Sequence, residues 1–265
     1  MDYYFGAINK VGGRGTVGGG LHALHSLKDL ITNCPRFLSA YKTSSCCPFP
    51  SSLHTLRLIG VEDMGTLESL SNLTSLTQLT IYYRGKDLRS DGLWDLIMRS
   101  QLSWLRVSAG PKFFVGSDPT RGIQDKYQGQ LHRSIELELE TDDVTGVLIA
   151  PICKFLSSFL TELSFNNNEE VKCFTQEQED SFQLLTSLQK LQFFGCDKLQ
   201  GLPKSINRLP NLKQLRIDHC PTLNSLPEDG LPRSLRLLIL SFCGNEELVQ
   251  KCINYVKNHP QIAIC

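Results

Sequence analysis

Three segments near the C-terminus superpose on one pattern: LQKLQFFGC from Leu188, LKQLRIDHC from Leu212 and LRLLILSFC from Leu235. Each reads L-x-x-L-x-(L/I/F)-x-x-C, and they recur 24 and 23 residues apart. Weaker copies lie upstream: LTELSF from Leu160, LSWLRV from Leu102, LTQLTI from Leu76 and LHTLRL from Leu53. SIELEL from Ser134 has lost its first leucine, and LKDLITNCP from Leu27 is one residue short before its cysteine. Steps between copies run from 23 to 32 residues. A period of this length constrains the fold strongly. Each unit is one supersecondary element that cannot bury its apolar face alone, so the units must stack.

The residue choices say how they stack. Leu215 and Ile217 are two apart, so they share one face of a short strand, and that face points inward. Parallel strands then succeed one another at about 4.8 Å per repeat. The return segments carry further buried anchors, for example Leu199, Leu202, Ile206 and Leu209 in CDKLQGLPKSINRLPN. The pattern predicts an α/β solenoid. This is a leucine-rich-repeat horseshoe with a parallel concave sheet of about seven to nine strands, an irregular or short-helical convex side and a C-terminal capping helix. Cys196, Cys220 and Cys243 fall at one repeat position, where a thiol can meet nearby backbone groups. A metal site or redox relay is the alternative, but no C-x-x-C pair occurs and the spacing equals the repeat period.

At the C-terminal end, Asn245 followed by Glu246 and Glu247 reads as a helix start, an N-cap with acids at the positive dipole end. Leu248, Cys252, Tyr255 and Val256 repeat at helical spacing, and Pro260 follows the stop. Residues 245–259 are therefore expected to form a helix capping the last repeat, with a partner-binding helix as the alternative. The chain divides into a Gly-rich leader over 1–20, a degenerate first repeat and Ser/Pro loop over 21–50, repeats over 51–244, and the capping helix and tail over 245–265.

Composition removes several function classes. Lys and Arg number 27, as do Asp and Glu, so nothing draws the chain onto nucleic acid or anionic membrane. No run of 18 apolar residues is present, and MDYYFGAINKV lacks the layout of a secretion signal. The ten cysteines are then expected to stay reduced in the cytoplasm, or in the nucleus. VGGRGTVGGG contains Gly13-x-Gly15-x-x-Gly18, the spacing of a dinucleotide turn, but no acid follows about 20 residues on. No triphosphate-binding loop, H-E-x-x-H or G-x-S-x-G is found. His22 and His25 lack an acidic or cysteine partner; Asp142-Asp143 and EQED at 177–180 read as solvated segments. No catalytic, cofactor-binding or metal-ligating residue is expected, and the chain reads as a non-enzyme.

What remains is a surface. The strand positions expected on the concave side include Trp104, Arg106, Glu136, Glu138, Glu140 and Glu162 in the middle repeats. In the last three they include Lys190, Gln192, Phe194, Lys213, Arg216, Asp218, His219, Arg236 and Phe242. This face changes from acidic to basic with exposed aromatics, and aromatic and arginine side chains are the usual anchors of protein interfaces. The bland alternative is an ordinary solvated sheet face.

The stretch LTSLQKLQFFGCDKLQGLPKSINRLPNLKQLRIDHCPTLNSLPEDGLPRSLRLLIL resembles the C-terminal repeats of plant nucleotide-binding disease-resistance receptors, in particular the coiled-coil class of cereals. The phrases CDKLQGLP, CPTLNSLPEDGLP and TDDVTGVLIAPIC carry the resemblance, as does SNLTSLTQLTIYY followed by GLWDLI. It covers roughly residues 50–265. It implies a truncated or partial receptor whose repeats recognise protein: a pathogen effector, a guarded host protein or a nucleotide-binding receptor domain. The nucleotide switch of that family is not implied, because the sequence holds no phosphate-binding lysine motif. Two other readings stay open: an adaptor or scaffold on the same repeats, such as a ubiquitin-ligase substrate receptor, and a dinucleotide-binding enzyme built on the glycine segment.

Overall fold

The structure is a computed structural model, and it describes residues 24–33, 49–62, 64–85, 87–110, 112–119, 135–243 and 246–265. The glycine segment, His22, most of the Ser/Pro loop and Asn245 lie outside them. Ten strands form one open sheet in which every neighbour is parallel and spatial order equals chain order. They are β1 (Asp29–Thr32), β2 (Thr55–Val61), β3 (Gln78–Tyr83), β4 (Trp104–Ser108) and β5 (Leu137–Thr141). There follow β6 (Leu160–Asn166), β7 (Lys190–Phe194), β8 (Gln214–Asp218), β9 (Leu237–Ser241) and β10 (Ala263–Ile264). This is the expected solenoid, with one strand more than the upper bound.

Register follows the leucines. Leu79, Leu105, Leu139, Leu163, Leu191 and Leu215 pair in a single row across the sheet, none more than 3% exposed. Each such side chain contributes roughly 1.5–3 kcal/mol on burial, and the neighbouring repeats provide part of the cover. A second inner row includes Phe165, Phe193 and Ile217, with the two rings 5.6 Å apart. The degenerate copy sits differently from its sequence alignment: Leu139 pairs with Leu163, and Leu137 takes the first-leucine place opposite Leu160. The shift is two residues and leaves an irregularity between Leu137 and Glu138. A two-residue slip keeps every side chain on its own face, which is why periodicity alone does not detect it.

The convex side changes along the chain. Between β3 and β7 the connections hold short helices, α1 (Leu93–Arg99), α2 (Val144–Val147), α3 (Ala150–Leu156) and α4 (Gln176–Phe182). Pro151 occupies the first turn of α3, where its missing N–H costs nothing. Thr175 and Gln178 form a capping box at α4. Further on, Pro203 and Pro210 bracket a segment too short for more than the 3-10 turn Lys204–Arg208. Helix α5 (Glu246–Lys257) buries Leu248 and Cys252 and, through the Tyr255 hydroxyl, accepts from the Leu231 N–H at 2.9 Å. The chain then turns back, and β10 rather than the helix pairs with the edge of β9. An edge strand of two residues offers little to a further strand.

The two acidic segments are not simply solvated. Asp143 is fully buried; its carboxylate caps α2 by accepting from Gly146 N (2.8 Å) and reaches back one repeat to Phe114 N (2.9 Å). Burial pushes its pKa up against those two bonds. Asp142 accepts from Ala109 N (3.3 Å) and Gly110 N (3.0 Å) of the preceding repeat. Glu179 reaches forward, accepting from Lys204 N and Ser205 N at 2.8 Å each and from Ser205 Oγ at 2.6 Å. Only Glu177 and Asp180 of that stretch face solvent. These carboxylates join consecutive repeats by taking up N–H groups that no strand partner reaches.

Thiols do related work further on. Cys196 Sγ lies 3.7 Å from Phe165 O, Cys220 Sγ 3.7 Å from Phe193 O and Cys243 Sγ 3.5 Å from Ile217 O, each a carbonyl of the preceding repeat. One repeat earlier the same place is held by Asn168, which donates to Asp142 O at 2.8 Å and accepts from Val171 N at 2.8 Å. Asp143→Ala removes a cap and orphans two amides, and is expected to lower stability by about 2–3 kcal/mol in a urea melt. Glu177→Ala, on the exposed side of α4, is expected to change it by less than about 0.5 kcal/mol.

Candidate functional site

The strand register assembles the outward side chains into cross-strand rows. One runs Gln78, Trp104, Glu138, Glu162, Lys190, Gln214, Leu237. The next runs Arg57, Thr80, Arg106, Glu140, Ser164, Gln192, Arg216, Ile239. A third holds Asn166, Phe194, Asp218 and Ser241. Trp104, Arg106, Glu138, Glu162, Lys190, Gln192, Phe194, Arg216 and Asp218 thus share the concave face. Glu136, Lys213 and Arg236 do not occupy strand positions: each precedes its strand at the edge where the chain joins the sheet. His219 and Phe242 follow theirs at the opposite edge.

The reading in sequence missed Gln214, Leu237 and Ile239. For Gln214 the signal was present, since a residue two from Arg216 shares its face while Lys213 does not. For LRLLILSFC alternation gave none, since Leu237 to Leu240 are all apolar; only alignment on LKQLRIDHC puts Leu237 and Ile239 at the places of Gln214 and Arg216.

Most charges on the face are paired, two of the pairs across strands. Arg106 meets Glu140 at 2.7 Å and lies over the Tyr82 ring, 4.9 Å from its centroid. Asn166 donates through Nδ2 to the same Glu140 carboxylate. Burial raises the Glu140 pKa, against the opposing pull of Arg106 and Asn166. Lys190 bonds Glu162, and that bond raises the lysine pKa. Glu138 stands between these pairs with no ion pair of its own among the described residues. Burial pushes its pKa up, the nearby Glu162 carboxylate adds to this, and Lys190 offsets it in part.

The C-terminal edge is aromatic. Burial acts to raise the Asp218 pKa, but bonds from Arg216 (2.9 Å) and His219 (2.6 Å) prevail and hold it below the usual carboxylate value. The His219 ring lies 5.3 Å from Phe194 and stacks on Phe242 at 4.7 Å. Phe242 is 77% exposed. At this turn the backbone is left-handed in successive repeats, with φ of 53° at Asn167, 62° at Gly195, 52° at His219 and 50° at Phe242. Glycine adopts that conformation freely, whereas histidine and phenylalanine are strained in it.

No protein-family model matches the chain. Two curated relatives, both described as disease resistance protein RPS6 of Arabidopsis thaliana, are 34% identical to it over 101 residues. The match covers 38% of this chain and 8% of each relative, so the chain spans a small part of their length. The likeness supports a relationship to plant immune receptors.

The electrostatics of Glu138 give a signed expectation. Its folded pKa lies above the ordinary value, so its favourable contribution is complete below the unfolded carboxylate pKa and is lost as pH rises through the folded one. Glu138→Gln is therefore expected to raise Tm by about 1–2 °C at pH 7, the effect being small because the group is partly solvated. The difference should vanish near pH ~3.5, below the ordinary glutamate pKa. Thermal melts of both proteins at the two pH values check it.

Proposed function

We propose that this chain is the recognition module of a plant immune receptor, a non-enzymatic repeat surface acting in the cytoplasm or nucleus. Its partner is a protein: a pathogen effector, a guarded host protein or the nucleotide-binding domain of a receptor. The observation that carries this reading is the Phe194–His219–Phe242 column. Stability alone favours glycine at the two left-handed positions, as at Gly195 in the repeat before. The chain instead keeps a strained phenylalanine there and exposes it. Strain held at an exposed aromatic supports a binding role, because buried aromatic anchors dominate protein interfaces. The likeness to disease resistance protein RPS6 supports the immune setting.

Stability and binding should then respond in opposite directions. Phe242→Gly relieves the strain, and is expected to leave stability unchanged or raise it by up to about 1 kcal/mol. The same change is expected to weaken capture of the partner in affinity purification from plant tissue by at least about tenfold, as truncation of an interface anchor does. Charge reversal of Lys213 and Arg216 should weaken it as well. Unchanged recovery of the same protein by Phe242→Gly and by the double reversal would refute the proposal.

A further inference from the structure

A second chemistry lies beside the aromatic column, for Asn166 in its lining pairs in register with Phe194. Between β4 and β7 the concave face holds a hollow of about 140 Å³, with Trp104, Glu138, Glu140, Glu162, Ser164, Asn166 and Gln192 in its lining. The polar groups turned to it are predominantly acceptors. Glu138 has no ion pair among the described residues, and Glu140 and Glu162 each meet one cation from one side. Asn166 is nine-tenths buried, and its Oδ1 has no hydrogen-bond donor. Its orientation is fixed, because Nδ2 donates to Glu140 and the reverse placement would set two oxygens together. A buried carbonyl oxygen without a donor costs about 1–3 kcal/mol. At the rim, the Trp104 indole is 36% exposed and offers a π face.

An acceptor-lined hollow with an aromatic wall repels anions and leaves neutral apolar groups unrewarded. It suits a planar cation that carries several donors and no acceptor and that can stack on an indole. Among protein side chains that is a guanidinium, which is also less strongly hydrated than an ammonium. We propose that this hollow captures an arginine side chain presented by the protein partner. The inference rests on the recognition reading for the existence of that partner, and names the chemistry the partner brings to the middle repeats.

The test needs no partner, so its failure is separable from failure of the recognition reading. The chain has two tryptophans, and Trp94 is buried with its indole N–H bonded to Ser117 Oγ at 2.6 Å. The Trp104 indole resonance, assigned by Trp104→Phe, therefore reports on the hollow in a proton–nitrogen NMR titration. L-arginine amide is expected to shift it with a Kd of about 1–10 mM, as befits a fragment of this size. L-citrulline amide, nearly isosteric and lacking the guanidinium charge, should leave it in place. Glu138→Gln keeps the shape of the side chain and should weaken arginine amide roughly fivefold or more. Glu177→Ala, on the exposed side of α4 and away from the concave face, should not alter it. Equal shifts with arginine amide and citrulline amide, an unaltered Kd in Glu138→Gln, or no shift at all would each overturn the proposal.

Discussion

Each strand in this protein has one apolar face, buried in a core shared with the return segments and the neighbouring repeats. That burial sets everything else. The row from Leu79 to Leu215 stays in register because slipping by one residue would turn every leucine to water. Parallel pairing in chain order then follows, since each connection must bring the chain back beside the strand it has just left. The sheet grows by addition, and its outward side chains are placed about 4.8 Å apart whether or not they attract one another.

Forced proximity explains the chemistry of the concave face. Arg106 with Glu140 and Lys190 with Glu162 are neighbours on adjacent strands, and their pairing quiets most of the field. What is left unpaired is correspondingly informative. The Glu138 carboxylate and the Asn166 carbonyl oxygen remain beside Trp104, the Nε atoms of Arg106 and Arg216 are also without partners among the described residues, and Phe242 remains exposed at the far end. A partner lying along the arc would meet a cation-seeking hollow first and an aromatic ridge directly beyond it.

Holding the repeats together takes polar groups as well as leucines. Where the convex side contains helices, the turns leave amide groups that no strand reaches, and carboxylates fill the gap: Asp142, Asp143 and Glu179 each bond backbone in an adjacent repeat. In the last repeats a small thiol takes that place, and Cys196, Cys220 and Cys243 each meet a carbonyl of the repeat before. Asn168 marks the changeover, an amide at the place the thiols later occupy.

The amino-acid sequence alone determined the solenoid, the direction of its strands and the faces of most residues, because a phased apolar repeat has one way to bury itself. It also put Trp104, Arg106, Glu138 and Arg216 on the concave side, since parity relative to a leucine is a local property. Parity was no guide in the fully apolar LLIL of β9, and the two-residue shift of β5 was invisible to it. The buried roles of Asp143 and Glu179 were hidden for another reason. A carboxylate in a polar stretch reads as solvated until the amides of another repeat, 25 or more residues away, are seen to converge on it. Only the tertiary structure decided which charges cancel and which acceptors stay empty, because pairing depends on distances between repeats that no local pattern encodes.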